Sequence, residues 1–230
     1  MGRTFKVLSA LLSYPTEELQ QEAGELRAVV REEALLPSAT QAALERLIAD
    51  FASADLYDLQ ERYVETFDRG RSLSLYLFEH VHGESRDRGQ AMIDLKSLYE
   101  KHGLLGVSNE LPDFLPLFLE FLSTLPPEAA RELLGQVAHI TSMLGERLSK
   151  RQTPYDVLFQ ALGELATFAS KETQITAASA ASKLPDEDLA AIGALRTHPK
   201  LRQIEADIQG TMYYSAIQSK DLFWQDWDRL

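Results

Sequence analysis

Apolar residues return every three or four positions through most of this chain, the spacing that gathers them on one face of an α-helix. Phe5, Leu8, Leu11 and Leu12 form the first such face, and Pro15 stops it. Thr16 is set to cap a second helix, with Glu17 and Glu18 in the first turn, where the helix dipole favours acids. Leu19, Ala23, Leu26 and Val30 line that helix. After Pro37, Ser38 and Gln41 have the spacing of a capping box, and Leu44, Leu47, Ile48 and Phe51 carry the third stripe. Asp55 starts a fourth helix, with Leu56, Leu59, Tyr63 and Phe67 on its buried face.

From Tyr63 to Leu95 the pattern is interrupted. Arg69-Gly70-Arg71 reads as a break. Ser72 or Ser74 is expected to cap a short apolar helix ending near Gly83. Ser85 then caps a longer helix, with Ala91, Met92, Leu95 and Tyr99 facing inward and Gly103 at its carboxyl end. Between Phe114 and Leu122 apolar residues occupy nearly every side, the mark of a central, buried helix. Pro112 suits its first turn, whereas Pro116 inside it removes a donor and needs local accommodation. Pro127 opens a long helix with Leu133, Val137, Ile140, Leu144 and Leu148 in register. Thr153-Pro154 introduces the next, lined by Leu158, Leu162, Leu165 and Ala169.

No stretch shows sustained period-two alternation rich in Val, Ile and Thr, and no repeat of fixed period is visible. The expected fold is all-α: a single globular bundle of about eight to ten helices over residues 1–170. Residues 171–185 are small and polar and read as a linker. Weaker helical patterns at 186–196 and 199–218 complete a carboxyl-terminal tail over 171–230, expected to pack on the domain. Its end holds both tryptophans: Leu222, Phe223, Trp224, Trp227 and Leu230 could form one aromatic face that covers a residual apolar groove.

Composition narrows the possible functions. The chain has no cysteine, which rules out disulfides, thiolate metal sites and cysteine nucleophiles. A net charge of −12 repels phosphate backbones and so disfavours nucleic acid, while it attracts basic partners. No apolar run reaches the length of a membrane span, and the amino terminus runs from an apolar stretch into Pro15 and acids, so the expected location is the cytoplasm.

Candidate chemistry lies in the interrupted stretch. Glu79, His80, His82 and Glu84 are metal-ligating residue types, but His80 and His82 would point to different sides of a helix. A metal-dependent enzyme built on that pair is the alternative to a binding role, and no metal is expected. Neither GxxxxGK[ST] nor GxGxxG occurs, and no nucleophile elbow appears, so no catalytic residue is assigned. The apolar run Leu73–Phe78, beside a charged turn and an apolar helix, suits a groove for an amphipathic peptide, with acids selecting basic partners.

The stretch SLYLFEHVHGESRDRGQAMIDL (74–95) closely resembles the signature of respiratory nitrate reductase assembly chaperones of the NarJ type, within the wider family of molybdoenzyme chaperones. The likeness extends to YVETFDRGRSLS (63–74), ELPDFLPLFLEFL (110–122) and LLSYPTEEL near the amino terminus. The wider family often has Asp-His where this chain has Asp113-Phe114. The resemblance implies an all-helical chaperone without catalytic activity or cofactor of its own. Its client would be the amino-terminal segment of the nitrate reductase catalytic subunit, held ready for molybdenum cofactor insertion and kept from the membrane until then. Proteins of molybdenum cofactor biosynthesis are further possible partners, and a structural subunit of a membrane redox complex is the other alternative. Client contacts are expected at Tyr63, Phe67, Leu75, Phe78, Glu79, His82, Glu84, Leu111, Pro112, Asp113 and Leu115. Arg69, Arg71, Arg86 and Arg88 are expected to tie the turn together through acids such as Glu84 and Asp87.

Overall fold

The structure, a computed structural model, describes residues 2–81, 87–104 and 110–176. Among these the chain forms nine α-helices: α1 (Gly2–Leu11), α2 (Glu17–Gln21), α3 (Ala23–Glu33), α4 (Ser38–Ser53), α5 (Leu56–Tyr63), α6 (Asp87–Lys101), α7 (Leu115–Ser123), α8 (Pro127–Lys150) and α9 (Asp156–Thr176). A π-turn (Val64–Asp68) extends α5, and two 3-10 turns follow at Arg71–Leu73 and Leu77–His80. The β-pairing among the described residues is an isolated antiparallel bridge between Tyr76 and Phe114. The all-α expectation holds.

The core is continuous from α1 to α9. Helix α7 is apolar all round because it is enclosed: Leu115, Phe118, Leu119, Phe121 and Leu122 are each no more than 1% exposed. Helix α1 packs along α7 and α3. Ser9 Oγ donates to the Pro116 carbonyl at 2.7 Å, which satisfies a buried hydroxyl inside that contact. A side chain at Gly2 would put its Cβ 2.5 Å from the Ser123 carbonyl oxygen, so only glycine fits this approach. The start of α1 is capped from outside, since Glu33 accepts from both the Thr4 amide and the Thr4 hydroxyl. Helices α8 and α9 share the most extensive helix–helix contact, and Gly145 faces Phe159 there. Phe51, Tyr63, Phe67 and Tyr155 stack edge-on between α4, α5 and α9.

Local signals held where the backbone itself carried them. Thr16 accepts from the Leu19 amide, and Asp55 accepts from the Tyr57 amide. Gly103, at φ +83°, ends α6 while the Leu104 amide reaches back to the Tyr99 carbonyl.

Other expectations are corrected. The second helix is split at Glu22, into α2 and α3. Ser38 is already helical and makes no capping box; Pro37 stands at the cap position. Helix α7 starts at Leu115, so Pro116 lies in the first turn, where its missing N–H has no intrahelical partner to lose. Pro112 precedes the helix altogether. No apolar α-helix forms over Leu73–Phe78; only residues 74–76 are extended, between a 3-10 turn that ends at Leu73 and another that begins at Leu77. Helix α9 carries on to Thr176, past the expected start of the linker at 171. The rest of the tail, with Trp224 and Trp227, lies outside the described residues, as do His82, Glu84 and Arg86.

Candidate functional site

The interrupted stretch becomes one side of a clip. Residues 75–77 run antiparallel to residues 113–115, so that the signature lies against the residues that lead into α7. The Leu77 amide donates to the Asp113 carbonyl at 2.9 Å, and the Leu115 amide donates to the Leu75 carbonyl at 2.8 Å. The sequence has the period of a strand here: Leu73, Leu75 and Leu77 are buried, and Tyr76 between them faces outward over the Phe114 ring, 5.2 Å away.

Asp113 is the centre of the clip. It is 0% exposed, and one carboxylate oxygen accepts from the Phe78 amide at 3.0 Å. Arg88 Nη2 approaches that same oxygen to 3.9 Å, and its Nη1 stands 3.9 Å from Glu79 Oε1. The other oxygen, Oδ1, is buried with no hydrogen-bond partner. Burial pushes the Asp113 carboxyl up to about 6, against the pull of the Phe78 amide and Arg88. Tyr99, fully buried below, donates to the Pro112 carbonyl at 2.8 Å.

The histidine chemistry has a structural explanation. His80 donates from Nε2 to the Ser74 carbonyl at 2.8 Å, and Ser74 Oγ accepts from the Tyr76 amide. His80 thereby fastens its own turn, and Glu79 turns toward Arg88. Among the described residues no group of three or more His, Asp or Glu could hold a metal ion.

The expected client residues separate into two layers. Tyr63, Phe67, Leu75, Phe78, Asp113 and Leu115 are at most 5% exposed, so in this arrangement they do not touch a ligand on the surface. Tyr63 is held by its hydroxyl, which donates to the Leu12 carbonyl at 3.1 Å. Leu111 is 47% exposed, and Pro112 and Glu79 are partly exposed. Of the four arginines, Arg69 pairs with Glu65 at 3.2 Å, and Arg88 joins Glu79 to Asp113. Arg88 thus bridges segments through Glu79 and Asp113, while Glu84 and Arg86 lie outside the described residues.

Sequence reasoning passed over an exposed strip beside the clip. Tyr57 is 79% exposed, and Val64 and Tyr14 also project into solvent. Tyr57, Glu61 and Val64 follow one another at i, i+4 and i+7 along the outer side of α5. Tyr14 stands edge-on to Tyr63 at 5.6 Å. Asp58, Glu61, Glu65 and Asp68 are the acids of this strip. Asp68 and Glu110 lie near enough that, after burial, Glu110 is what raises the Asp68 carboxyl above its ordinary range. Tyr76 donates to Glu110 at 2.6 Å, which connects the strip to the clip. The available signal was the outward row Tyr57–Glu61–Val64, with Tyr57 and Val64 apolar on a face that amphipathic patterning assigns to solvent.

The comparisons with known proteins agree with this architecture. The family described as "Nitrate reductase delta subunit" matches residues 32–161. The nitrate reductase molybdenum cofactor assembly chaperone NarJ of Escherichia coli (strain K12) is 46% identical over 181 residues, covering 79% of this chain and 75% of that protein. The nitrate reductase-like protein NarX of Mycobacterium tuberculosis (strain H37Rv) is 36% identical over 148 residues, which are 64% of this chain and 22% of that protein. A crystal structure of a candidate redox enzyme maturation protein from Archaeoglobus fulgidus shares the fold, with a TM-score of 0.53, at 23% identity over 71% of this chain and 92% of that one. Both the clip and the helices around it fall inside the matched region, and the chain belongs to the nitrate reductase delta subunit family, as a NarJ-type assembly chaperone.

Proposed function

We propose that the chain is a dedicated assembly chaperone for respiratory nitrate reductase. It binds the amino-terminal segment of the catalytic subunit, keeps that subunit competent for molybdenum cofactor insertion, and delays its docking at the membrane. The relatives' names carry the first part of this reading. On the same reading the work is cytoplasmic, and proteins that make or carry the cofactor are further partners. No described helix is long and apolar enough to cross a membrane.

The observation that carries the peptide reading is the exposed row of Tyr57 on α5 and Val64 on the π-turn that extends it, with Leu111 exposed at the clip. Asp58, Glu61, Glu65 and Asp68 lie in the same stretch of chain as Tyr57 and Val64, and Glu110, next to Leu111, lies near Asp68. A basic amphipathic helix complements such a surface: its apolar face covers the exposed side chains and its cations meet the acids. The buried residues expected at the site are then its floor. Leu75, Phe78 and Leu115 hold the clip in place, and Leu111, Pro112 and Glu79 form the rim.

Calorimetry on the full chain with a synthetic amino-terminal peptide of the catalytic subunit tests the reading. Saturable binding that weakens as salt rises is expected, because exposed charges are screened over about 10 Å at 0.1 M salt. Absence of heat and of any thermal shift across a wide peptide range would overturn the peptide site. The family description as a subunit favours one other reading, in which the chain stays with the mature enzyme. Fractionation separates the two, since a chaperone leaves the membrane fraction once the reductase is complete.

A further inference from the structure

The chain carries a net charge of −12, yet one corner of the fold is basic. Arg147 and Lys150 lie in the last turn of α8, and Arg151 caps it. The 3-10 turn Arg71–Leu73 packs against this same helix. Two guanidinium groups converge there on a single residue. Arg147 Nη1 donates to the Ser72 carbonyl at 2.7 Å, and Arg151 Nη2 donates to the Ser72 hydroxyl at 3.3 Å.

Cations at a helix carboxyl end commonly answer the helix dipole. These two arginines reach away from their own helix, to a segment 75 and 79 residues distant in sequence. In an acid-rich chain, arginines commonly find carboxylates, and others here do: Arg31 pairs with Glu45, Arg62 with Asp50, Arg69 with Glu65. Among the described residues no ion pair involves Arg147, Lys150 or Arg151. Glu146, one turn before Lys150, makes none with it.

The arrangement is one of donors. Each guanidinium uses part of its planar fork on Ser72 and keeps the remaining N–H groups. Ser72 Oγ accepts from Arg151, so its own proton is left to donate. The contacts with Ser72 also fix the two forks in advance, which lowers the ordering cost of binding a ligand. A planar carboxylate matches a single fork. Two forks and a hydroxyl at one exposed turn, with Lys150 one helical turn from Arg147 at i+3 on the same helix, suit a tetrahedral dianion with oxygens on several sides.

We propose that the corner formed by Ser72, Arg147, Lys150 and Arg151 binds the phosphate group of a phosphorylated small molecule. The proposal is independent of the peptide reading, whose surface is acidic. It is tested by titrating the full chain with inorganic pyrophosphate and following backbone amide shifts together with thermal melting.

Saturable shifts at residues 71–73 and 147–152 are expected, with a rise in melting temperature and binding that survives about 0.15 M salt. Arg147→Gln with Arg151→Gln should weaken binding by roughly tenfold or more, the loss of about 1.4 kcal/mol. Because that pair also holds Ser72, Lys150→Gln serves as the second variant. It should weaken binding severalfold while leaving the melting temperature of the free protein unchanged. Shifts that do not saturate, equal affinity in all variants, or a response to a glutamate-rich peptide with none to pyrophosphate would overturn the proposal.

Discussion

The Phe78 amide donates to the buried Asp113 carboxylate across 35 residues of sequence, at 3.0 Å. This bond, with the Leu77 and Leu115 amides on either side of it, holds the signature stretch against the entry to α7. The interaction stabilises the clip, but it also takes a carboxylate out of water, and one of its oxygens receives nothing in return. Which effect prevails depends on pH.

Asp113 is predicted to make stability fall as pH rises through about 6. Its folded pKa stands above the ordinary value, so the folded state binds the proton more tightly than the unfolded chain. The contribution is complete below about 4 and is lost as pH climbs through 6. Between pH 5 and pH 7 the loss is about 1 kcal/mol. Asp113→Asn removes this dependence. Urea melts of both proteins at pH 5, 6 and 7 should show the native chain gaining on the variant as pH falls. A constant gap would mean that Asp113 does not titrate in this range.

The client surface is predicted to respond separately to apolar and charged changes. Tyr57→Ala should weaken peptide binding roughly tenfold at any salt, since an exposed aromatic anchor contributes through area. Glu61→Lys with Asp68→Lys should weaken it most at low salt and flatten its salt dependence. Neither set should lower the melting temperature by more than about 2 °C, because Tyr57 and Glu61 project into solvent. Calorimetry over a salt series measures both.

Gly145 is predicted to tolerate little. A Cβ there already comes within 3.0 Å of the Phe159 Cβ, so Gly145→Leu forces α8 and α9 apart. A loss of about 2 kcal/mol in chemical unfolding is expected, typical of overpacking. An unchanged midpoint would show that this interface has slack.

Glu33 is predicted to act as a cap supplied from another helix. Glu33→Ala removes the acceptor for the Thr4 amide and hydroxyl and should cost about 1–2 kcal/mol. Hydrogen exchange should locate the loss at the start of α1. Uniform loosening of the whole chain would contradict a local capping role.

Much of the fold was legible along the chain because helices are specified locally. The stripes from Phe5 to Leu12, Leu44 to Phe51 and Leu133 to Leu148 are buried in the structure. Thr16, Asp55 and Gly103 end or begin helices by bonds within a few residues of themselves. The misreading of Leu73–Phe78 has an equally definite cause. Its alternation of Leu73, Leu75 and Leu77 with Ser72, Ser74 and Tyr76 is a strand period, but it is too short to stand out in a helical chain. Its partner, Phe114, lies 38 residues away, and an isolated extended segment is recognised only with its partner in place.

By itself the sequence determined the all-helical class, several helix ends, the family likeness and the acidic character that points to a basic partner. Periodicity, capping and net charge are properties of neighbouring residues or of the whole chain, and they need no coordinates. Tertiary structure alone decided what Asp113, Arg88, Tyr57 and Ser72 do. Asp113 meets the Phe78 amide, and Arg147 and Arg151 meet Ser72, only after distant segments have closed on each other. Whether Tyr57 and Leu111 form part of a core or part of a surface likewise depended on which faces the neighbouring helices cover. The physical reason is common to all of them: burial and hydrogen-bond partners are relations between remote positions, and a pattern read along the chain does not contain them.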